Sequence, residues 1–261
     1  MTWEINVRKY LQRHAGFAGD VPRTVAVWPV VERSGELKLG VSQVSDLPGN
    51  PMSIELTLSH RRLFWHTDDG DDYPERWDAS ADVGEFDGCP EPDRHVGDIQ
   101  LVIADLIAER NLLDAVSLGE WALEFLAETV LDSSGRLHPE LDAEISAGPA
   151  RMVIIRRVVV AERWRGHGLA SPLIAGALRI LAPSARLAAC RVSPVDFTRH
   201  YPDRVSAELA SVRAGGLLER IGFRRWREAH VVDLQNPKLL DARMDLLQRW
   251  WPSLDGEDRA G

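Results

Sequence analysis

Apolar positions are regularly spaced in the second half of the chain, and their spacing predicts strands that alternate with helices. Short apolar runs rich in β-branched residues predict strands at 99–107, 151–160, 185–193 and 223–234, the last as one long strand or a hairpin. Apolar residues that recur every three or four positions predict helices at 117–131, 171–181, 207–222 and 239–251. From about residue 97 onward, this alternation predicts an α/β or α+β layer structure in which helices cover a sheet.

Two of these helices carry start signals. Ser117 precedes Glu120 by three residues, the spacing of a capping box. Pro172 falls in the first turn of the helix at 171–181, where its missing N–H costs no hydrogen bond. Both signals support helix starts at the predicted places.

The first 96 residues are less regular. The pattern predicts a short helix at 5–14, strands at 24–31 and 53–60, and a hairpin partner at 61–69. Acids, glycine and proline dominate 67–98, which lacks the ligand spacing of a calcium loop, so we expect a solvated loop there. The organisation expected is therefore an N-terminal extension (1–96) that supplies extra strands or a small cap, a main domain (97–250) and a polar tail (251–261).

Composition and charge narrow the class of protein. The chain of 261 residues is 44% hydrophobic and 27% charged, as in globular proteins, and its formal charge of −9 argues against a nucleic-acid partner. Its two cysteines, Cys89 and Cys190, form neither a disulfide framework nor a zinc pattern. A secretory leader and an apolar run of about 20 residues are both lacking. We therefore expect a soluble cytoplasmic protein with no metal and no membrane partner.

The segment "RWRGHGLA" (163–170) joins the strand at 151–160 to the helix at 171–181. Glycines before a helix let the backbone approach an anion, and the first N–H groups of the helix are available to bind it. The patterns of nucleotide triphosphatases and of dinucleotide-binding proteins are both absent, since Ser171 stands where the latter needs glycine. An ordinary turn and a phosphate-binding loop both remain open on this segment alone.

Two motifs in order resemble one family. Arg163-x-x-Gly166-x-Gly168 resembles the R/Q-x-x-G-x-G/A signature of the GCN5-related N-acetyltransferases (the GNAT superfamily), in the same context of strand, loop and helix. Further on, "LLERIGF" (217–223) is similar to the family's "FYERLGF" at the end of a helix. The resemblance covers roughly residues 97–234.

The resemblance implies an α+β fold in which helices flank a central mixed sheet, and it implies acetyl-CoA as cosubstrate. The strand before the loop would splay from its neighbour, and its end would contact the pantetheine arm through Val158, Val159 and Val160. The loop backbone would hold the pyrophosphate. The residues so assigned are Arg163, Arg165, Gly166, His167, Gly168, Leu169 and Ala170.

Family chemistry is the attack of a neutral amine on the acetyl thioester, with a tyrosine as the usual proton donor. That tyrosine position holds Leu218, which cannot donate a proton. Tyr201 and His200 are therefore the candidate catalytic residues, in a segment that could line the acceptor side of the cleft together with Asp196. The alternative is an ordinary polar loop that carries an aromatic side chain.

The acceptor expected is a small-molecule or peptide amine. The negative net charge favours a cationic one, such as a polyamine, an aminoglycoside or a lysine-bearing peptide. The first function predicted is an acyl-CoA-dependent N-acyltransferase. The alternative is a catalytically silent GNAT-like domain that binds CoA or a protein partner as a sensor or scaffold. A purely structural turn is a third hypothesis. Trp250 and Trp251 are candidates for a contact surface or for the core, and a homodimer also remains open.

Overall fold

The computed structural model describes residues 47–60, 74–85, 88–115, 121–198, 201 and 203–250. Its strands form a seven-stranded sheet in the order β1-β2-β3-β4-β5-β7-β6. Neighbouring strands are antiparallel, except that β4 and β5 are parallel. The strands are β1 (Ile54–His60), β2 (Glu75–Val83), β3 (His95–Asp105), β4 (Arg151–Val160), β5 (Leu187–Cys190), β6 (Arg224–Trp226) and β7 (Ala229–Asp233).

Helices cover both faces of this sheet. They are α1 (Leu112–Ala115), α2 (Trp121–Val130), α3 (Pro139–Asp142), α4 (Ala170–Leu181), α5 (Pro194–Phe197), α6 (Arg204–Arg220) and α7 (Lys238–Trp250). One apolar core joins the sheet to α4, α6 and α7, and a second joins the opposite face to α1, α2 and α3. The expected α+β class, a mixed sheet flanked by helices, is confirmed.

The elements predicted after residue 97 are found with shifts of a few residues at their ends. The closing segment forms a hairpin of β6 and β7 rather than one long strand, because the chain turns at Arg227, which has a φ of 50°. The predicted helix at 117–131 is described as α2 from Trp121 onward. The predicted capping box at 117–120 lies outside the described residues.

The loop predicted at 67–98 is wrong for 75–83 and 95–98, which are strand, whereas 88–94 is irregular apart from a 3-10 turn (Glu91–Asp93). Residues Glu75–Val83 form β2, which pairs with both β1 and β3. Ala79, Ala81 and Val83 are buried while the residues between them are less so, which is the period-two pattern of a strand. The loop was predicted because this segment is rich in acids, which lie on the less buried face of β2, and because alanine gives only a weak hydrophobic signal.

Several other predictions fall on residues that the structure leaves undescribed. They are the helix at 5–14, the strand at 24–31, the hairpin partner at 61–69 and the tail at 251–261. The strand predicted at 53–60 is β1, and its described partner is β2. Within the described ranges, no helix combines the length and the hydropathy needed to cross a membrane.

The pairing between β4 and β5 ends before β4 does. Their parallel pairing runs from Met152 opposite Leu187 to Ile155 opposite Cys190, while β4 continues to Val160. On the other side of β4, the pairing with β3 skips Arg156, which is the extra residue of a β-bulge. The sheet therefore opens beyond Ile155, directly before the glycine loop.

Candidate anion-binding site

The loop between β4 and α4 is anchored by buried contacts. A 3-10 turn (Glu162–Trp164) follows β4, and the Trp164 side chain is fully buried with its Nε1 donating to the Asp93 carbonyl at 2.8 Å. The next residue, Arg165, donates from Nε to the Val160 carbonyl at 2.7 Å. These contacts fix the path of the chain just before the two glycines.

Gly166 and Gly168 both have left-handed backbone conformations, with φ of 84° and 77°. Residues with a Cβ rarely adopt such angles, so the backbone path alone accounts for both glycines. A Cβ on Gly166 would meet nothing within 4 Å, whereas one on Gly168 would lie 2.9 Å from an Arg249 nitrogen. The loop glycines by themselves therefore do not decide between a turn and a binding site.

The start of α4 leaves backbone donors without protein partners. Leu169 is the N-cap residue, and no side chain caps the helix. Within the part of the chain that the structure describes, the N–H groups from Gly166 to Leu169 donate to no protein group. Unpartnered N–H groups at the positive end of a helix dipole favour an anion at this place.

These donors border a cavity of about 340 Å³. One wall is the loop with the start of α4, and the other wall is the second half of α6. The lining residues are Val160, Trp164, Arg165, Gly166, Gly168, Leu169, Ala170, Arg213, Gly216, Leu217 and Arg220.

Charge in this cavity is of one sign. Three arginines line it, namely Arg165, Arg213 and Arg220, and no acid does, although the whole chain carries a net charge of −9. Neither Arg213 nor Arg220 forms an ion pair with a described residue. The two are seven residues apart on α6, which is about two helical turns or 10 Å along the axis. The cavity is therefore suited to a ligand with more than one negative charge.

The wall formed by α6 contains two consecutive glycines with different surroundings. A Cβ on Gly215 would lie 3.3 Å from Nε2 of His230 on β7, so the His230 ring occupies that space. A Cβ on Gly216 would meet nothing within 4 Å, and Gly216 lines the cavity. Glycine inside a helix costs about 1 kcal/mol relative to alanine. The described residues give no steric reason for Gly216, whereas a ligand that lies against the helix would give one.

The structure places most of the predicted cofactor-binding residues at this cavity. Val160, Arg165, Gly166, Gly168, Leu169 and Ala170 line it. Val158 is buried in the core, while Val159 precedes the last residue of β4. Arg163 and His167 do not line it.

His167 turns away from the cavity towards α7. Its ring meets Trp250 edge-on at 6.5 Å, and its carbonyl accepts a hydrogen bond from Arg249 at 3.4 Å. Trp250 therefore packs within the chain here, and Trp251 lies outside the described residues.

The candidate catalytic residue Tyr201 does not line the cavity. Tyr201 packs on the core with its ring 6.4 Å from that of Phe197, just before α6 begins at Arg204. Arg213 lies nine residues after Arg204, which is about 14 Å along the axis of α6 from the start of the helix. His200 is outside the described residues, and Leu218 is fully buried among apolar side chains.

Asp196 has a structural role in the described chain. It is 1% exposed, accepts from the Ser193 N–H and from Arg191 Nη1, both at 3.0 Å, and closes a capping box at the start of α5. Burial raises the pKa of its carboxyl even though Arg191 and the Ser193 N–H act in the opposite sense. The Asp196 carboxylate thus accepts hydrogen bonds from Arg191 and from the Ser193 N–H.

The residues of the α6 wall were missed by the sequence interpretation. Arg213, Gly216 and Arg220 lie on one side of a helix at spacings of three and four. That spacing, with a glycine between two arginines, was the available signal. It was obscured because the helix also presents apolar residues to solvent, among them Val205, Leu209 and Val212.

Comparisons with other proteins add no name to this site. No family model matches the chain, and neither a curated protein nor a solved structure matches it. Among the described residues, no three His, Cys, Asp or Glu side chains are placed to hold a metal ion.

Proposed function

We propose that this protein is an acyl-CoA-dependent N-acyltransferase that moves an acetyl group from acetyl-CoA to a primary amine. The observation that carries the proposal is the cavity in which unpartnered helix N–H groups and Arg165 face Arg213, Gly216 and Arg220. The proposal includes a GNAT-like fold, which is supported by the two motifs and by a parallel strand pair that opens before the loop.

The pyrophosphate of CoA would bind to the backbone N–H groups from Gly166 to Ala170. Arg213 and Arg220 on the opposite wall would contact further phosphate charge, and Gly216 would let the ligand approach α6 closely. Pantetheine is a chain with two amide groups. It would run along β4 beyond Ile155, where the strand has no β5 partner and its backbone groups can bind an extended ligand.

The reaction proposed is direct transfer. The amine nitrogen forms a bond to the thioester carbonyl carbon, the carbon–sulfur bond breaks, and the proton lost by the nitrogen balances the thiolate that leaves as CoA-SH. A backbone N–H of the opened strand would polarise the carbonyl oxygen. None of the described residues that line the cavity is an obvious proton donor, and Leu218 is apolar and fully buried. Water is the donor consistent with these residues.

The second candidate function is binding of CoA without catalysis. It is favoured by Leu218 and by the lining of the cavity, whose described ionisable residues are all arginines. Arginine stays protonated at all ordinary pH values and cannot act as a general base. A domain of this kind would report CoA or acetyl-CoA levels to a partner.

Calorimetric titration with acetyl-CoA and with CoA tests the shared part of both functions. We expect binding of both ligands, with acetyl-CoA followed by thiol release when a suitable amine is added. Binding without thiol release across amino acids, polyamines, aminoglycosides and lysine peptides would favour the silent domain. A well-folded protein that binds neither ligand would contradict both functions.

A further inference from the structure

The opening between β4 and β5 lies within the sheet. One face of the sheet there is directed to the cavity, and the other face is on the opposite side. Val158 and Val160 of β4 point into the core formed with α4 and α6. Side chains alternate along a strand, so Arg157 points to the other face, on which α2 packs. Gln100 stands opposite Arg157 in the register of β3 and shares that face.

Among the residues that the structure describes, none pairs with the charge of Arg157. Its Nε is buried and has no hydrogen-bond acceptor, and no acidic residue in the described part of the chain forms an ion pair with it. Burying a charged donor without an acceptor is unfavourable. An anion supplied from outside the chain would remove this cost.

The buried acid Asp196 does not fill this role. Arg191 follows Cys190, the last β5 residue that pairs with β4, and its guanidinium lies 5.1 Å from the centre of the Phe125 ring of α2. Asp196 is held by Arg191 and by the Ser193 N–H. The buried carboxylate is thus committed to Arg191, and no described contact joins it to Arg157.

We propose that Arg157 binds a carboxylate group of the acceptor, so that the acceptor is an amine that also carries a carboxylate. A guanidinium presents parallel N–H donors that match a carboxylate, and Gln100 offers an amide donor beside it. This inference rests on the proposed function, because it treats the opening as the place where amine and thioester meet. It also replaces the expectation of a cationic acceptor, since local charge outweighs net charge at close range.

The test uses reaction products, which bind whether or not catalysis occurs. The 261-residue chain, saturated with CoA, is titrated with N-acetyl-L-amino acids and with the matching C-terminal amides. We expect at least one acid to bind about tenfold or more tightly than its amide, as hydrogen bonds to charged groups warrant. Arg157→Gln should abolish this preference and leave CoA affinity unchanged. Arg179→Gln, an exposed arginine on α4, is the matched control and should behave as wild type.

Thermal unfolding of Arg157→Met gives a readout independent of any ligand. We expect its Tm to stay equal or to rise, because an unpaired charge is removed from a half-buried site. A clear fall in Tm would show that Arg157 has a structural partner and would overturn the assignment. Equal binding of acids and amides, or no binding of any acid, would also overturn it. Failure to bind CoA would instead contradict the proposed function, and the acid titration is then run on the protein alone.

Discussion

The two walls of the cavity each contain a pair of glycines, and the two pairs exist for different reasons. Gly166 and Gly168 in the loop have positive φ, so the path of the backbone requires them. In α6 the backbone is helical, and only Gly215 has a packing reason, the ring of His230. Gly216 faces open space in the cavity. A glycine without a structural cause is stronger support for a ligand than a glycine required by a turn.

The largest effect expected from this comparison is on ligand affinity. Gly216→Leu places a side chain in the cavity without backbone strain, and we expect CoA affinity to fall on the order of 100-fold because the ligand and the side chain compete for space. The free energy of unfolding should stay equal or rise, since leucine favours helix more than glycine does. Calorimetric titration and chemical denaturation measure the two quantities.

Gly216→Ala is the matched control for that substitution. Its single methyl group meets no atom within 4 Å, so CoA affinity should change by no more than a few-fold while stability rises by up to about 1 kcal/mol. If Gly216→Leu bound CoA as tightly as wild type, the cavity would not be the binding site.

The next effect concerns the charge of the α6 wall. Arg213→Gln and Arg220→Gln should each weaken CoA binding about fivefold, the value of an exposed charge contact near 1 kcal/mol. Binding by the double variant should also depend less on salt concentration, because fewer phosphate charges are neutralised by protein. Arg204→Gln is the control, since Arg204 lies on the same helix and pairs with Glu208. An equal loss in the control would attribute the effect to net charge alone.

A substitution in the loop wall should lower the free energy of unfolding. Gly166→Ala forces a residue with a Cβ into a φ of 84°, which costs roughly 1–2 kcal/mol of unfolding free energy. Gly84→Ala is the control, because a Cβ there meets nothing within 4 Å and its φ is not positive. Denaturant titration compares the two variants. Similar stability in both would mean that the loop does not hold the left-handed conformation in solution.

The smallest effect is a pH dependence at His230. Burial lowers the pKa of His230, Glu219 opposes that shift and Arg225 adds to it. The unfolded chain therefore binds the proton first as pH falls below about 6.5, and the free energy of unfolding falls with it until the folded pKa is reached. His230→Gln should lack this loss below pH 6.5 and match wild type above it.

His95 provides a built-in contrast for that measurement. Burial opposes its protonation, but hydrogen bonds with Asp82 and Asp98 and their charges outweigh burial and raise the pKa. Its stabilisation is present at low pH and is lost as pH rises through the folded pKa. Because wild type and His230→Gln share His95, the difference between their pH profiles isolates His230. An identical profile in both proteins would contradict the assignment to His230.

The sequence predicted the alternation after residue 97 because those elements have long apolar periods. It did not predict β2, whose buried positions are mostly alanine between acids. On the site, the loop was recognisable because its residues are contiguous. The α6 wall was not, because its placement opposite the loop depends on how two helices pack on the sheet. The position of Arg157 at the opening likewise depends on where the pairing of β5 with β4 ends, and the sequence alone does not predict that point.

Hydrogen–deuterium exchange with and without saturating CoA tests most directly whether the two walls form one site. We expect CoA to slow exchange in the loop, 163–170, and also in the second half of α6, 211–220, while the β6–β7 hairpin remains unchanged. Slower exchange confined to the loop would contradict the role given to α6. No change in either segment at saturating CoA would contradict the site itself.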